Sequence, residues 1–187
     1  MDDQHVEREE LHLRRIEMRG FRRSDGLFEI EGHVLDTKPR DFVPASGERA
    51  VAAGEAIHDM GVRLVFDETM QVRGVTTFMR ATPYAECAGG GQALQGLVGL
   101  RMTSGWSREV NARLRGGCSC THLRELLIPM ATAAFQSLSA MRQGMPDRLD
   151  ANGRPVKIDS CWAYASERDL VRRRWPQFHR PPRPEGG

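Results

Sequence analysis

The chain has 187 residues, 40% hydrophobic and 28% charged, with a net charge of +2. That length supports a core without cross-links, and so small a charge argues against nucleic acid as the partner. The acidic start, Met1-Asp2-Asp3-Gln4-His5, does not read as a signal peptide, and the apolar stretch 126–135 contains Pro129 and is too short to span a bilayer.

Residues 12–38 read as a β-hairpin. Ile16 and Met18 alternate with Glu17 and Arg19, Ser24-Asp25-Gly26 turns the chain, and Phe28, Ile30 and Val34 continue the alternation. Residues 39–54, with two prolines and two glycines, read as a loop. A second hairpin follows. His58, Met60, Val62, Leu64 and Phe66 share one strand face and Asp59 and Arg63 take the other; Asp67–Thr69 turns, and Val72, Thr76 and Phe78 share a face on the return. After Pro83 the period lengthens toward that of a helix. Leu94, Leu97 and Val98 form a short stripe, and Ser107 is placed to cap a helix holding Val110 and Leu114 that ends at Gly116. A long helix begins near Thr121 with Leu123, Leu127, Met130, Ala134, Leu138 and Met141 on one face, and Pro129 is expected to kink or divide it. A last strand over 156–164 and a terminal helix opened by Ser166 and Asp169 complete the pattern. The expectation is an α+β fold: an antiparallel β-sheet of two hairpins plus a late strand, packed against a layer of α-helices. Residues 1–177 would form a single domain and 178–187 a flexible tail rich in proline and glycine.

The chemistry concentrates at Gly117-Cys118-Ser119-Cys120-Thr121-His122. If helical, Cys118, His122 and Glu125 share a stripe, and Cys118 and His122 have a spacing that a metal ion can bridge. With Cys87 and Cys161 they compose a Cys3His set suited to zinc or iron. His58 and Asp59, on opposite strand faces, are candidates to orient a ligand or move a proton. A second role for Cys118 or Cys120 is as a nucleophile at a helix N-terminus, with His122 as base, attacking a thioester or carbonyl carbon. Arginines cluster in the first hairpin, where Arg19 and Arg22 could hold a carboxylate or a coenzyme A phosphate; cross-strand pairing with Glu17, Glu29 and Glu31 would account for them equally well. Gly89-Gly90-Gly91 could seat an anion but lacks the lysine and hydroxyl residue of a phosphate loop.

In their order along the chain, His12-Leu13-Arg14, Gly20–Leu27, Leu35-Asp36-Thr37-Lys38, Ile57-His58-Asp59-Met60, Pro83–Cys87, Gly117-Cys118 with Thr121-His122-Leu123, and Ile158–Cys161 resemble a bacterial family known only as a domain of unknown function. The resemblance implies no activity. In that family's pattern Gly-Cys-Thr-His-Leu is continuous. Here Ser119-Cys120 interrupts it, so either Cys118 or Cys120 stands in the place of the family cysteine. A fainter likeness to iron–sulfur scaffold proteins rests on dispersed cysteines and a Gly-Cys entering a helix.

The leading expectation is a cytoplasmic metal-binding protein, acting in metal-assisted hydrolysis or hydration or in a metal or iron–sulfur accessory role. The alternative is an accessory module without metal that binds a small anionic molecule, a carboxylate or coenzyme A ester, or partners a catabolic enzyme.

Overall fold

The computed structural model describes residues 6–45, 47 and 49–181. Residues 1–5, at the start read against a signal peptide, and residues 182–187 of the expected tail lie outside that set. Contacts gather into two compact units, 1–141 and 142–187.

The first unit carries the sheet. Strands β1 (Leu13–Arg22), β2 (Phe28–Thr37), β3 (Ala56–Phe66) and β4 (Val72–Ala81) lie in the order β1-β2-β3-β4, every pair antiparallel. Alternation sorts the two faces, since successive side chains leave a pleated strand on opposite sides. Ile30, Val34, Met60, Val62 and Leu64 are buried on the inner face. Glu29, Glu31 and Arg63 face outward, with Arg63 Nη2 donating to Glu31 Oε2 at 2.7 Å. Both expected hairpins are present, with one correction. The register shifts between Val65 and Phe66, so that Val72 faces Phe66 while Val75 faces Leu64. This bulge turns Val72 and Val75 inward together, leaving Thr76 and Phe78 on the other face, because one extra residue reverses the alternation beyond it.

Helices α1 (Trp106–Leu114) and α2 (Thr121–Ser137) supply the second layer, the latter packing against β1, β2 and β3. Leu123, Leu126, Leu127, Met130 and Ala134 of α2 are buried in one core with Trp106, Val110 and Leu114 of α1. The residue flanking α1 is Gly105, in the left-handed region at φ 91°, and it makes no side-chain cap. Ser107 lies inside the first turn. The long helix runs through Pro129 undivided to Ser137, and Met141, expected on its buried stripe, lies past the end and is exposed. Trp106 Nε1 donates to the Leu127 carbonyl at 2.8 Å, binding the two helices. A run of 3-10 turns, Ala85–Leu97, connects β4 to this layer and buries Leu94 and Leu97.

The second unit holds α3 (Asp169–Arg174), a bridge between Leu149 and Pro155, and a small core of Ile158, Val171 and Trp175. Residues 156–164 do not form the expected strand. Asp159 takes a positive φ of 66°, Ser160 Oγ donates to the Lys157 carbonyl, and Trp162–Tyr164 is a 3-10 turn. Local turn bonds satisfy this backbone, and Val156 and Ile158 alone are too short an apolar alternation to recruit a neighbouring strand.

Candidate functional site

Hairpin register builds the polar end of the sheet. Arg14 of β1 stands opposite Asp36 of β2, and Asp36 stands opposite His58 of β3. All three therefore share the inner face in one row. Asp36 is the single buried charged residue among those described, with a side chain only 1% exposed. Both of its oxygens are occupied. Arg14 Nε donates to Oδ1 and Nη2 to Oδ2, each at 2.8 Å. His58 Nδ1 donates to Oδ2 at 2.9 Å, and His12 Nε2 lies 3.2 Å from Oδ1. Burial alone would raise the Asp36 carboxyl, but the bidentate bonds and charge of Arg14, joined by His58, reverse this and hold it at about 2. Arg14 also reaches Glu125 of α2 at 3.1 Å, tying the row to the helix above it.

The start of α2 closes over this row. Ser119 is extended and Cys120 is the residue flanking the helix, so Cys120, not Cys118, stands beside His122. Its Sγ lies 3.9 Å from His122 Nδ1 and 3.8 Å from Met60 Sδ. The His122 ring lies against that of His58, with centroids 3.9 Å apart and the planes tilted by 38°. Burial pushes the Cys120 thiol up, yet the contact with His122 and the backbone N–H groups of Leu123 and His122 bring it to a net lowering. His122 moves the opposite way, raised first by Cys120 against the effect of burial. His58 is lowered by burial and by His122, despite Asp36. The shifts run toward thiolate at Cys120, toward the protonated form at His122 and toward the neutral form at His58. His58 donates its Nδ1 hydrogen bond to Asp36, which leaves Nε2 as the free ring nitrogen.

A cleft of about 590 Å³ opens onto these groups, lined by His58, His122, Tyr84, Cys87, Cys118 and Cys120, among others. Two glycines of the run beside it, Gly90 and Gly91, serve close packing, while Gly89 has open space around it. A Cβ on Gly90 would stand 2.8 Å from Cys120 Cβ, and one on Gly91 would stand 2.5 Å from Thr77 Oγ1. The Cys120 amide donates to the Gly90 carbonyl at 2.9 Å, so the 3-10 run and the entrance to α2 are stitched together at the thiol.

Of the residues expected at a site, His58, Cys87, Cys118 and His122 converge on this cleft. Cys118 belongs to a separate 3-10 turn, Gly116–Cys118, and not to the helix of His122, so the expected one-face stripe from Cys118 to His122 does not form. The extended Ser119 breaks the helical phase between them. Asp59 leaves the opposite sheet face, 2.7 Å from His33 Nε2. Cys161 is exposed and belongs to the second unit. Arg19 pairs with Glu17 of its own strand, and Arg22 lies exposed at the end of β1. Asp36 is not among the site residues expected from the sequence, and Arg14, one of the clustered hairpin arginines, holds this chain's own carboxylate. Counting outward from the turn at 24–26 pairs 14 with 36; the pairing of 36 with 58 crosses the loop 39–54 and is set by tertiary register alone.

A family model described as a protein of unknown function (DUF2889) matches residues 12–136. The match spans every residue of the row and the cleft and ends before Cys161. No curated protein and no solved structure matches the chain. Among the described residues no helix is long and apolar enough to cross a membrane.

Proposed function

The chain belongs to the DUF2889 family, and for the site that this match spans we propose a cysteine-dependent acyl-transfer function, with Cys120 as nucleophile. The carrying observation is the Cys120–His122 contact at 3.9 Å, at the N-terminus of α2 and open to the cleft. In this reading Cys120 Sγ attacks the carbonyl carbon of an ester or thioester. As the bond to the leaving group breaks, His122 gives that group its proton. His58, oriented by Asp36, then takes a proton from the water that cleaves the acyl-cysteine. Arg14 keeps Asp36 ionised and so acts as a positioning residue. A reducing, cytoplasmic setting suits four free thiols.

A metal reading draws on a different observation: ligand atoms of Asp36, His58 and His122 all lie within 4.8 Å of one another. Two imidazoles sharing one zinc at about 2 Å would hold their ring centres roughly 5 Å apart. Here the centres are only 3.9 Å apart, and Arg14 occupies both Asp36 oxygens. The thiol reading needs no such rearrangement and is preferred.

Peptide-resolved alkylation with iodoacetamide at pH 7 tests it. Cys120 is expected to react roughly tenfold faster than the exposed Cys118 and Cys161, with the advantage lost in His122→Ala. Reaction no faster than at those two exposed thiols refutes the proposal. About one equivalent of zinc or iron in metal analysis, with Cys120 protected until chelation, would favour the metal reading instead.

A further inference from the structure

Cys87, Cys118 and Cys120 all line one cleft, and the acyl-transfer reading uses only Cys120. The positions of the other two differ in a way that bears on thiol oxidation. Cys87 lies in the run of 3-10 turns, three residues before Gly90. Residues three apart in a 3-10 helix eclipse one another, with a rise of about 6 Å over the turn. The direction in which Gly90 would carry a side chain leads to Cys120, whose Cβ would be 2.8 Å away. Cys87 therefore sits one turn along on the face that abuts Cys120. The Cys120 amide bonded to the Gly90 carbonyl at 2.9 Å pins the two segments together. Cys118 is the competing partner, at a similar span. The extended Ser119 separates it from Cys120 by two residues of near-strand rise, about 6.6 Å, at the upper end of the Cα separations that a disulfide spans.

We propose that Cys87 is the resolving thiol for Cys120, the pair forming a reversible disulfide when Cys120 is oxidised by a hydroperoxide that enters the cleft. The proposal rests on the reading of Cys120 as the reactive thiol. In the first step Cys120 sulfur attacks one peroxide oxygen, an S–O bond forms and the O–O bond breaks. The sulfur loses two electrons, and the released oxyanion leaves as water or an alcohol, protonated by His122. In the second step Cys87 sulfur attacks Cys120 sulfur, the S–S bond forms, the S–O bond breaks, and the departing hydroxide takes the Cys87 proton to leave as water. Burial raises the Cys87 thiol, which leaves the first step to Cys120; in the second, the Cys87 proton passes to the departing hydroxide as the S–S bond forms. Closure needs movement of one 3-10 turn, and the poorer hydrogen-bond geometry of such turns makes it the easier of the two segments to shift. The product blocks the nucleophile and spares it irreversible oxidation.

The full-length protein is exposed to equimolar hydrogen peroxide at pH 7, quenched with N-ethylmaleimide and mapped by mass spectrometry. The expected product is a Cys87–Cys120 disulfide that dithiothreitol reverses. In Cys87→Ser, trapping of Cys120 by dimedone should rise roughly tenfold, because the sulfenic acid loses its resolving partner. A Cys120 that forms sulfenic acid but joins Cys118, or whose dimedone adduct is unchanged by Cys87→Ser, overturns the pairing and leaves the acyl-transfer reading standing. A Cys120 that alkylates and oxidises no faster than Cys161 overturns both. The wild-type map decides the pairing even if the variant folds poorly.

Discussion

Replacing Asp36 with asparagine keeps its shape and removes its charge, in the one place where a buried carboxylate organises three strands. The carboxyl is held at about 2 against an ordinary 3.8, a difference of roughly 2 kcal/mol in favour of the ionised form. Removing one member of a fully buried ion pair costs about 3–5 kcal/mol. Arg14 is one-third exposed and recovers some hydration, so the expected loss for Asp36→Asn at pH 7 is about 2–3 kcal/mol. The pH dependence has a definite sign. A carboxyl with a depressed pKa binds fewer protons folded than unfolded, so its contribution is complete above about pH 5 and is lost as the pH falls toward 2. Urea unfolding followed by far-ultraviolet circular dichroism, at steps from pH 7 to pH 2.5, measures both. The wild-type advantage should narrow with acid. A difference under about 0.5 kcal/mol at pH 7, or one that stays constant across the range, would refute the argument that Asp36 is a buried, Arg14-bound anion.

Gly90→Ala drives a methyl group against the Cys120 backbone nitrogen, 3.0 Å away, as well as against its Cβ. A loss of about 1–3 kcal/mol is expected, together with slowed alkylation of Cys120, read by thermal denaturation and peptide-resolved labelling of the same sample. Trp106→Phe removes the donor to the Leu127 carbonyl and part of a buried ring, and should cost about 1–3 kcal/mol in urea unfolding. A smaller loss would mean that the carbonyl finds water when the indole is gone.

Both hairpins, the inward set Met60, Val62, Leu64 and Phe66, and the apolar stripe of α2 were legible in the sequence. Each is a local periodicity, and burying one face of a pleated strand or a helix requires that periodicity whatever lies opposite. The bulge in β4 was not legible, because one inserted residue alters the facing of Val75, Thr76 and Phe78 without altering their composition. That a thiol lies beside His122 could also be read directly. Which thiol it would be could not, since two residues of extended backbone at Ser119 and Cys120 decide that Cys118 leaves the helical phase. Asp36 shows the division most clearly. Alone in sequence it is one acidic residue at the end of a strand, and its burial depends on Arg14 and His58, 22 residues away on either side. Strand register brought those partners to it and α2 covered them. A buried charge is stable only where such distant groups converge, so its identity belongs to the tertiary structure, while the strands that carry it belong to the sequence.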